Sequence, residues 1–413
     1  RKRKSFCFKK LSYPISQKIN RRLFTKFLAS FTLAHRSGLG ASDLGDRIVV
    51  VGGGIVGSSI AYHLSKMGAE VTLIEKDEPG AHASGKSFSW INASYPKKPF
   101  SYHYLSRLSL NHYRHLQDEL NLDIKWHGSF EWFDTKSQER MLEKEIDIQQ
   151  SYEAQVEIIE ADKAKILETN VNFGAGFKIA YSKIDGAIDS SSAIKQFLTK
   201  TAAFGGEILY PVTFQKLVYL GNKLVAVGTS SGEINADQVV FACGINTDSN
   251  LNSDLMKPSK PGIILTSRPT EEIINGVIVA PGVHVHQQQD GTILIGEQRG
   301  VPMFHSRRLR NKPEEFPNTK YANQHKKRIL NMATKFIPKL DGLEIEKITI
   351  GWRPLPKDGK PVVGPLAKMP GVYVAAMHSG ITLAPIVGSL CQTELLDGHV
   401  SSLLEDFRPS RFN

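Results

Sequence analysis

The stretch Arg47-Ile48-Val49-Val50-Val51-Gly52-Gly53-Gly54-Ile55-Val56-Gly57 decides the fold. Positions 48–51 are consecutive apolar, β-branched residues. Such a run reads as a parallel strand buried on both faces. Glycines then fall at 52, 54 and 57, the G-x-G-x-x-G spacing. A helical pattern follows over 58–67 and stops at Gly68. A second strand follows at Glu70-Val71-Thr72-Leu73-Ile74-Glu75. Each glycine has a physical task. Gly52 permits the tight turn, Gly54 lets backbone approach a pyrophosphate, and Gly57 lets the helix pack close to the strand. The helix N-terminus offers N–H groups and a positive dipole end to phosphates. Glu75 ends the second strand 18 residues after Gly57, where a carboxylate can accept ribose hydroxyls. It would repel a 2′-phosphate. Strand, glycines, helix, strand and acid in this order specify a dinucleotide-binding βαβ unit.

The formal net charge of +11 suggests nucleic acid until it is located. Residues 1–42 hold eleven Lys and Arg and no acid; the remainder has forty-one basic and forty-one acidic residues. A nucleic-acid footprint would have to lie on the folded body, so no nucleic-acid partner is expected. Residues 1–42 read as a targeting leader. Asn20-Arg21-Arg22-Leu23-Phe24-Thr25-Lys26 and the short apolar run after it resemble a twin-arginine export signal, pointing to the periplasm. The alternative is a mitochondrial or plastid transit peptide. Cys7, Cys243 and Cys391 form no CxxC pair and read as incidental thiols. His284 and His286 alternate onto one strand face without a further ligand, so no metal is assigned. The Arg307-Arg308-Leu309-Arg310 run reads as a solvated loop.

Further segments resemble one family. They are Ala81-His82-Ala83-Ser84-Gly85-Lys86-Ser87; Ala236-Asp237-Gln238-Val239-Val240-Phe241-Ala242-Cys243-Gly244; Gly351-Trp352-Arg353-Pro354-Leu355-Pro356-Lys357-Asp358-Gly359-Lys360-Pro361-Val362-Val363-Gly364; and His378-Ser379-Gly380-Ile381-Thr382-Leu383-Ala384-Pro385. From residue 46 onward the chain resembles the FAD-dependent D-amino acid oxidase superfamily, in its glycine oxidase and D-amino acid dehydrogenase branch. It departs at Met377, where the family usually has Gly, and in a shorter loop between His378 and Gly380.

The resemblance implies an α/β plus α+β fold: a Rossmann-like FAD-binding domain with a second, mainly antiparallel β-sheet substrate domain, as in glutathione-reductase-2-like flavoproteins. The FAD domain is assigned 43–98, 182–258 and 346–413, and the substrate cap 99–181 and 259–345. Asp290-Gly291 between apolar runs signals a hairpin in that cap. The implied FAD contacts are Gly52, Gly54, Ile55, Val56, Gly57, Glu75, Lys76, Ser84, Gly85, Lys86, Ser87, Val212, Cys243, Gly244, Gly380, Ile381 and Thr382. Lys86, Ser87, Ser89, Trp90 and Asn92 are expected to approach the flavin. The sarcosine oxidase branch holds FAD through a cysteine near the Arg353 region; none lies there, so non-covalent FAD is expected. Gly380-Ile381-Thr382 are read as backbone N–H donors before a helix at 383–396. Arg353 is implied to grip a substrate carboxylate, its planar fork suiting that group. His378 stands beside flavin as the second catalytic candidate.

The implied reaction is oxidation of a small amino acid or secondary amine of glycine, sarcosine or D-amino acid type. Hydride passes to flavin N5 and the imine product hydrolyses. Electrons pass on to oxygen or a quinone, with peripheral membrane contact a possibility. The alternatives are a 2-hydroxy acid dehydrogenase of the same superfamily and a non-catalytic flavin-binding assembly factor.

Overall fold

The computed structural model describes residues 46–94, 97–174, 177–298 and 313–412. The leader, Cys7 and the Arg307–Arg310 run lie outside the described residues. The Arg47–Val51 strand has one parallel neighbour on each side, Gln238–Phe241 and Glu70–Ile74. Both its edges are thus paired, and its two faces are buried in separate cores, Ile48 and Val50 in one and Val49 and Val51 in the other, which is why its sequence is uninterrupted apolar. Val372–Ala376 and Glu207–Leu209 extend the sheet in parallel, and Val362–Pro365 closes one edge antiparallel. This six-stranded sheet is the Rossmann-like half.

Helix Ile55–Lys66 follows the glycine turn. Gly52 has φ +112°, and a Cβ on it would stand 2.6 Å from the Ala242 carbonyl oxygen. A Cβ on Gly57 would stand 2.0 Å from the Gly52 carbonyl oxygen. The turn therefore tolerates no side chain at either place.

A second helix, Gly380–Asp397, lies against the first. Gly388 allows it: a Cβ there would come within 2.5 Å of Ser59 Oγ and 2.6 Å of His63 Nδ1. Ser59 Oγ donates to the Ala384 carbonyl at 2.8 Å. Pro385 sits inside this helix and cannot donate to the Ile381 carbonyl. The Tyr113 hydroxyl takes that place, donating to it at 2.6 Å. Sequence periodicity places the start of this helix at 383; the structure starts it at Gly380, so residues 380–382 form its first turn.

Tyr113 belongs to helix Phe100–Leu120. That helix shares a hydrophobic core with the two glycine-seated helices. The sequence-based boundary at 99 is therefore corrected: this helix belongs to the nucleotide half, not the cap. The boundary at 346 moves as well. Strand Ile345–Trp352 pairs with Pro261–Ser267 along its length, so the cap sheet runs to Trp352.

That second sheet has eight strands, with the order Ile345–Trp352, Pro261–Ser267, Ile293–Glu297, Val283–Gln287, Val277–Ala280, Ser129–Glu131, Lys178–Ser182, Val156–Glu160. All its pairings are antiparallel except Val277–Ala280 with Ser129–Glu131. The Asp290-Gly291 signal is borne out. Val283–Gln287 and Ile293–Glu297 pair across it, with Gly291 at φ +90° and Asp290 Oδ1 accepting from Thr292 N–H. Helix Thr319–Phe336 covers this sheet, its first turn capped by the Asn318 side chain. Among the described residues no helix is long and apolar enough to cross a membrane.

This packing can be tested at two places. Gly57→Ala forces the first helix off its strand, so it should destabilise by about 1–3 kcal/mol, read as a lowered thermal midpoint. His63 is buried between the paired helices and donates from Nδ1 to the Ser59 carbonyl. Burial pushes it down to about 3. Being a base with a depressed folded value, it leaves stability intact above about pH 6.5, the unfolded value, and removes it as pH falls below that, by at most about 1.4 kcal/mol per unit. Thermal melts between pH 7 and 5 should show this loss, and His63→Gln should make it shallower by the share of one histidine, the other buried histidines keeping theirs.

Candidate active site

A cavity of about 810 Å³ runs from the glycine turn to the edge of the cap sheet. At one end it is lined by Gly52, Gly54, Ile55, Val56, Glu75, Lys76, Ser84 and Val212. At the other it is lined by Arg353, His378, His284, Lys97 and Tyr102. Lys86, Ser87, Cys243, Gly244, Gly380, Ile381 and Thr382 also line it. Segments about 300 residues apart in sequence thus share one wall.

Glu75 is buried, and its carboxylate accepts from Gly53 N–H at 2.7 Å and Asp77 N–H at 3.0 Å. These two bonds fix the carboxylate at the strand end and leave lone pairs for a ligand hydroxyl. Ser84 Oγ accepts from Ile55 N–H at 3.0 Å, tying the 81–87 loop to the helix start. A Cβ on Gly54 would lie 3.1 Å from that oxygen. Gly54 therefore keeps open the groove between loop and helix N-terminus. A dinucleotide fits this donor set: an acid for ribose, and a bare helix start for pyrophosphate.

Two expected contacts do not line the cavity. Gly57 acts beneath it, through helix packing. Gly85 N–H is taken up by the Gly80 carbonyl at 2.9 Å, and a Cβ there would meet that same oxygen at 2.4 Å. Gly85 thus closes the turn of the 81–87 loop. Thr382 Oγ1 bonds to Asn92 N–H and the Trp90 carbonyl, so its side chain holds the 90–92 segment. Cys243 lines the cavity, but its thiol donates to the Val51 carbonyl and burial pushes it up to about 12.

At the far end Arg353 lies over Gly262, whose Cβ would stand 3.3 Å from Nη2. His378 lines the cavity and keeps part of its surface open. Desolvation by the surrounding protein, then the charge of Arg353, bring its imidazole down to about 4, so it is neutral at physiological pH. Phe88 stacks on His284 with ring centroids 3.8 Å apart. The His286 ring donates from Nε2 to the Phe88 carbonyl at 2.7 Å. The histidine pair therefore shapes the cavity wall.

The family model for FAD-dependent oxidoreductases, DAO, matches residues 47–392. The chain belongs to that family. It is an FAD-dependent oxidoreductase, and its nucleotide half binds FAD. It is 25% identical over 369 residues to a glycine oxidase of Pseudomonas aeruginosa, covering 83% of this chain and 92% of that one. It is 25% identical over 358 residues to a 4-methylaminobutanoate oxidase (formaldehyde-forming) of Paenarthrobacter nicotinovorans, covering 83% of this chain and 42% of the other. The fold matches an L-proline dehydrogenase from P. horikoshii with TM-score 0.76 at 21% identity, over 89% and 98% of the two chains.

Sequence reasoning missed Lys97, Tyr102 and Asp185. Lys97 and Tyr102 line the oxidoreductase's cavity, and Asp185 is fully buried behind it. The one signal for them is a Lys-Lys-Pro step at 97–99, which alone reads as a solvated turn. Glu75→Ala should remove the carboxylate that would accept a ribose hydroxyl, a charge-assisted bond worth about 1.5–3 kcal/mol. Titrating apoprotein with FAD should then show binding weakened roughly 10- to 100-fold, with Glu75→Gln falling between.

Proposed function

We propose that this oxidoreductase oxidises a small amino acid or secondary amine bearing a carboxylate. The observation that carries the reading is the placement of the Arg353 guanidinium on the same cavity wall as the first turn of helix Gly380–Asp397. The named substrates of the relatives above, glycine, 4-methylaminobutanoate and proline, each join an amine to a carboxylate, which agrees with it.

FAD, when bound, supplies the hydride acceptor. The chain's own residues supply position and field. Arg353 holds the carboxylate by two parallel N–H···O bonds and thereby fixes the neighbouring carbon. The N–H groups of Gly380, Ile381 and Thr382, at a positive dipole end, stabilise negative charge gathering beside them. His378, being neutral, adds no competing cation there. The Cys243 thiol, protonated and engaged with Val51, supports FAD held without a covalent bond. The imine formed from substrate then hydrolyses in water. Oxygen or a quinone is the proposed final acceptor.

Anaerobic mixing with glycine, sarcosine, D-alanine, D-proline, L-proline and 2-hydroxyglutarate tests the reading. An amine should bleach the flavin absorbance; bleaching by the hydroxy acid alone would overturn it. Arg353→Met should raise the substrate KM about 100-fold or more, since an unpaired buried carboxylate costs about 3 kcal/mol. Arg353→Lys should recover part of that, with the flavin spectrum unchanged in both.

A further inference from the structure

Lys97 is buried, with 6% of its surface exposed, yet it lines the cavity. Its Nζ donates to the Asn92 carbonyl at 2.8 Å and to Ser106 Oγ at 3.0 Å. Ser106 gives its own hydroxyl proton to the Tyr102 carbonyl at 2.9 Å, so toward Lys97 it can only accept. A carbonyl can only accept as well. Two acceptors match the two N–H bonds of a neutral amine and leave its lone pair unused. An ammonium would carry a third N–H with no acceptor among the described residues.

The surroundings agree. The groups facing Lys97 among the described residues are Asp185, Tyr102, His103 and His378. Asp185, the one acid of these, is fully buried and forms no ion pair with Lys97. It accepts instead from Ala93 N–H at 3.2 Å, Ser129 Oγ at 2.8 Å and Ser94 Oγ. Tyr102 presents its ring, with the Lys97 nitrogen 5.6 Å from the centroid, and its phenol, raised to about 12 by burial, donates to Ser379 Oγ. His103 and His378 are held neutral at about 4, by desolvation first and then by the charges of Arg107 and Arg353 respectively. A buried ammonium without a carboxylate in contact is strongly disfavoured. Burial accordingly brings Lys97 down to about 7, against the pull of Asp185.

We propose that Lys97 is the base that takes one proton from the substrate ammonium once Arg353 has seated its carboxylate. The N–H bond of the ammonium breaks, its electron pair stays on the substrate nitrogen, and the Lys97 lone pair forms the new N–H bond. No electrons change hands in this step. The substrate enters hydride transfer as a free amine, and Lys97 returns its proton to water after the imine leaves. The proposal rests on the amine-oxidation reading and deepens it.

Two measurements on the FAD-loaded full chain test it. In protein labelled with ¹³Cε-lysine, the resonance absent from Lys97→Arg should titrate near neutral pH. If that lysine stays charged to pH 9, the base role is overturned whatever the substrate. In anaerobic rapid mixing, Lys97→Met and Lys97→Arg should slow flavin reduction about 100-fold at pH 7. The gap should close to a few-fold near pH 10, where free amine is abundant. Equal loss at every pH, or a Lys97→Arg variant that reduces its flavin at the full rate, would make Lys97 a structural or anion-binding cation and overturn the proposal. A neutral lysine in a protein that no amine reduces would instead sink the amine reading itself, and the base role with it.

Discussion

The site depends on how closely helix Ile55–Lys66 is held on two sides. On one side Gly57 lies so near the Gly52 carbonyl that a methyl group would sit 2.0 Å from the oxygen. On the other, Gly388 lets helix Gly380–Asp397 settle onto Ser59 and His63. With both contacts made, the two helix starts converge: a Cβ on Gly380 would stand 3.1 Å from Val56 Cγ2. Two positive dipole ends then open side by side into one cavity. That arrangement is electrostatically costly on its own and becomes favourable with an anionic ligand between them. The fold thus carries, in its helix packing, a requirement for the group it binds.

One strand of the cap runs directly to this arrangement. Strand Ile345–Trp352 hydrogen-bonds within the eight-stranded sheet and is followed at once by Arg353, which lines the cavity. Its Gly351 passes so close to the 81–87 loop that a Cβ would meet the Lys86 carbonyl oxygen at 2.8 Å. The guanidinium proposed to hold the substrate carboxylate is therefore set by a rigid sheet on one side and by the nucleotide loop on the other. Placing it on a strand end gives it little freedom to wander, which bidentate recognition of a carboxylate needs.

The nucleotide half is legible in the sequence because its information is contiguous. Strand, turn glycines, helix and Glu75 lie within thirty residues, and each has a local reason for its residue type. The Asp290-Gly291 hairpin is legible for the same reason. Helix Phe100–Leu120 falls into the wrong half on sequence alone because amphipathic spacing reveals an apolar face but not what covers it. The partner is a tertiary fact: Tyr113 completing the hydrogen bond that Pro385 leaves open. Gly85 reads as a ligand contact because a motif glycine for a turn and one for a ligand look alike in sequence. Lys97 is invisible there for a deeper reason. A lysine beside another lysine and a proline is ordinarily solvated, and only the assembled core makes it otherwise.

The charges in the cavity are segregated along its length. Among the described residues lining it, the carboxylates are Glu75 and Glu314. Glu75 is engaged by backbone N–H groups, and Glu314 by His82 and Lys86. The substrate end holds Arg353, Lys97, His284 and His378, with Asp185 behind a screen of three donors. Four bases in one enclosed space cannot all carry charge. The two histidines yield, and His284 is brought down to about 3 by burial and then by Arg353. The guanidinium cannot give up its proton, so it remains the fixed charge. A single permanent cation in a wall of neutral bases selects an anion of matching size and leaves no second cation to bind. An ammonium arriving with that carboxylate meets bases able to take its proton rather than acids able to hold it. On the proposed reading, the same crowding that keeps these bases neutral is what would prepare an amino acid for oxidation there.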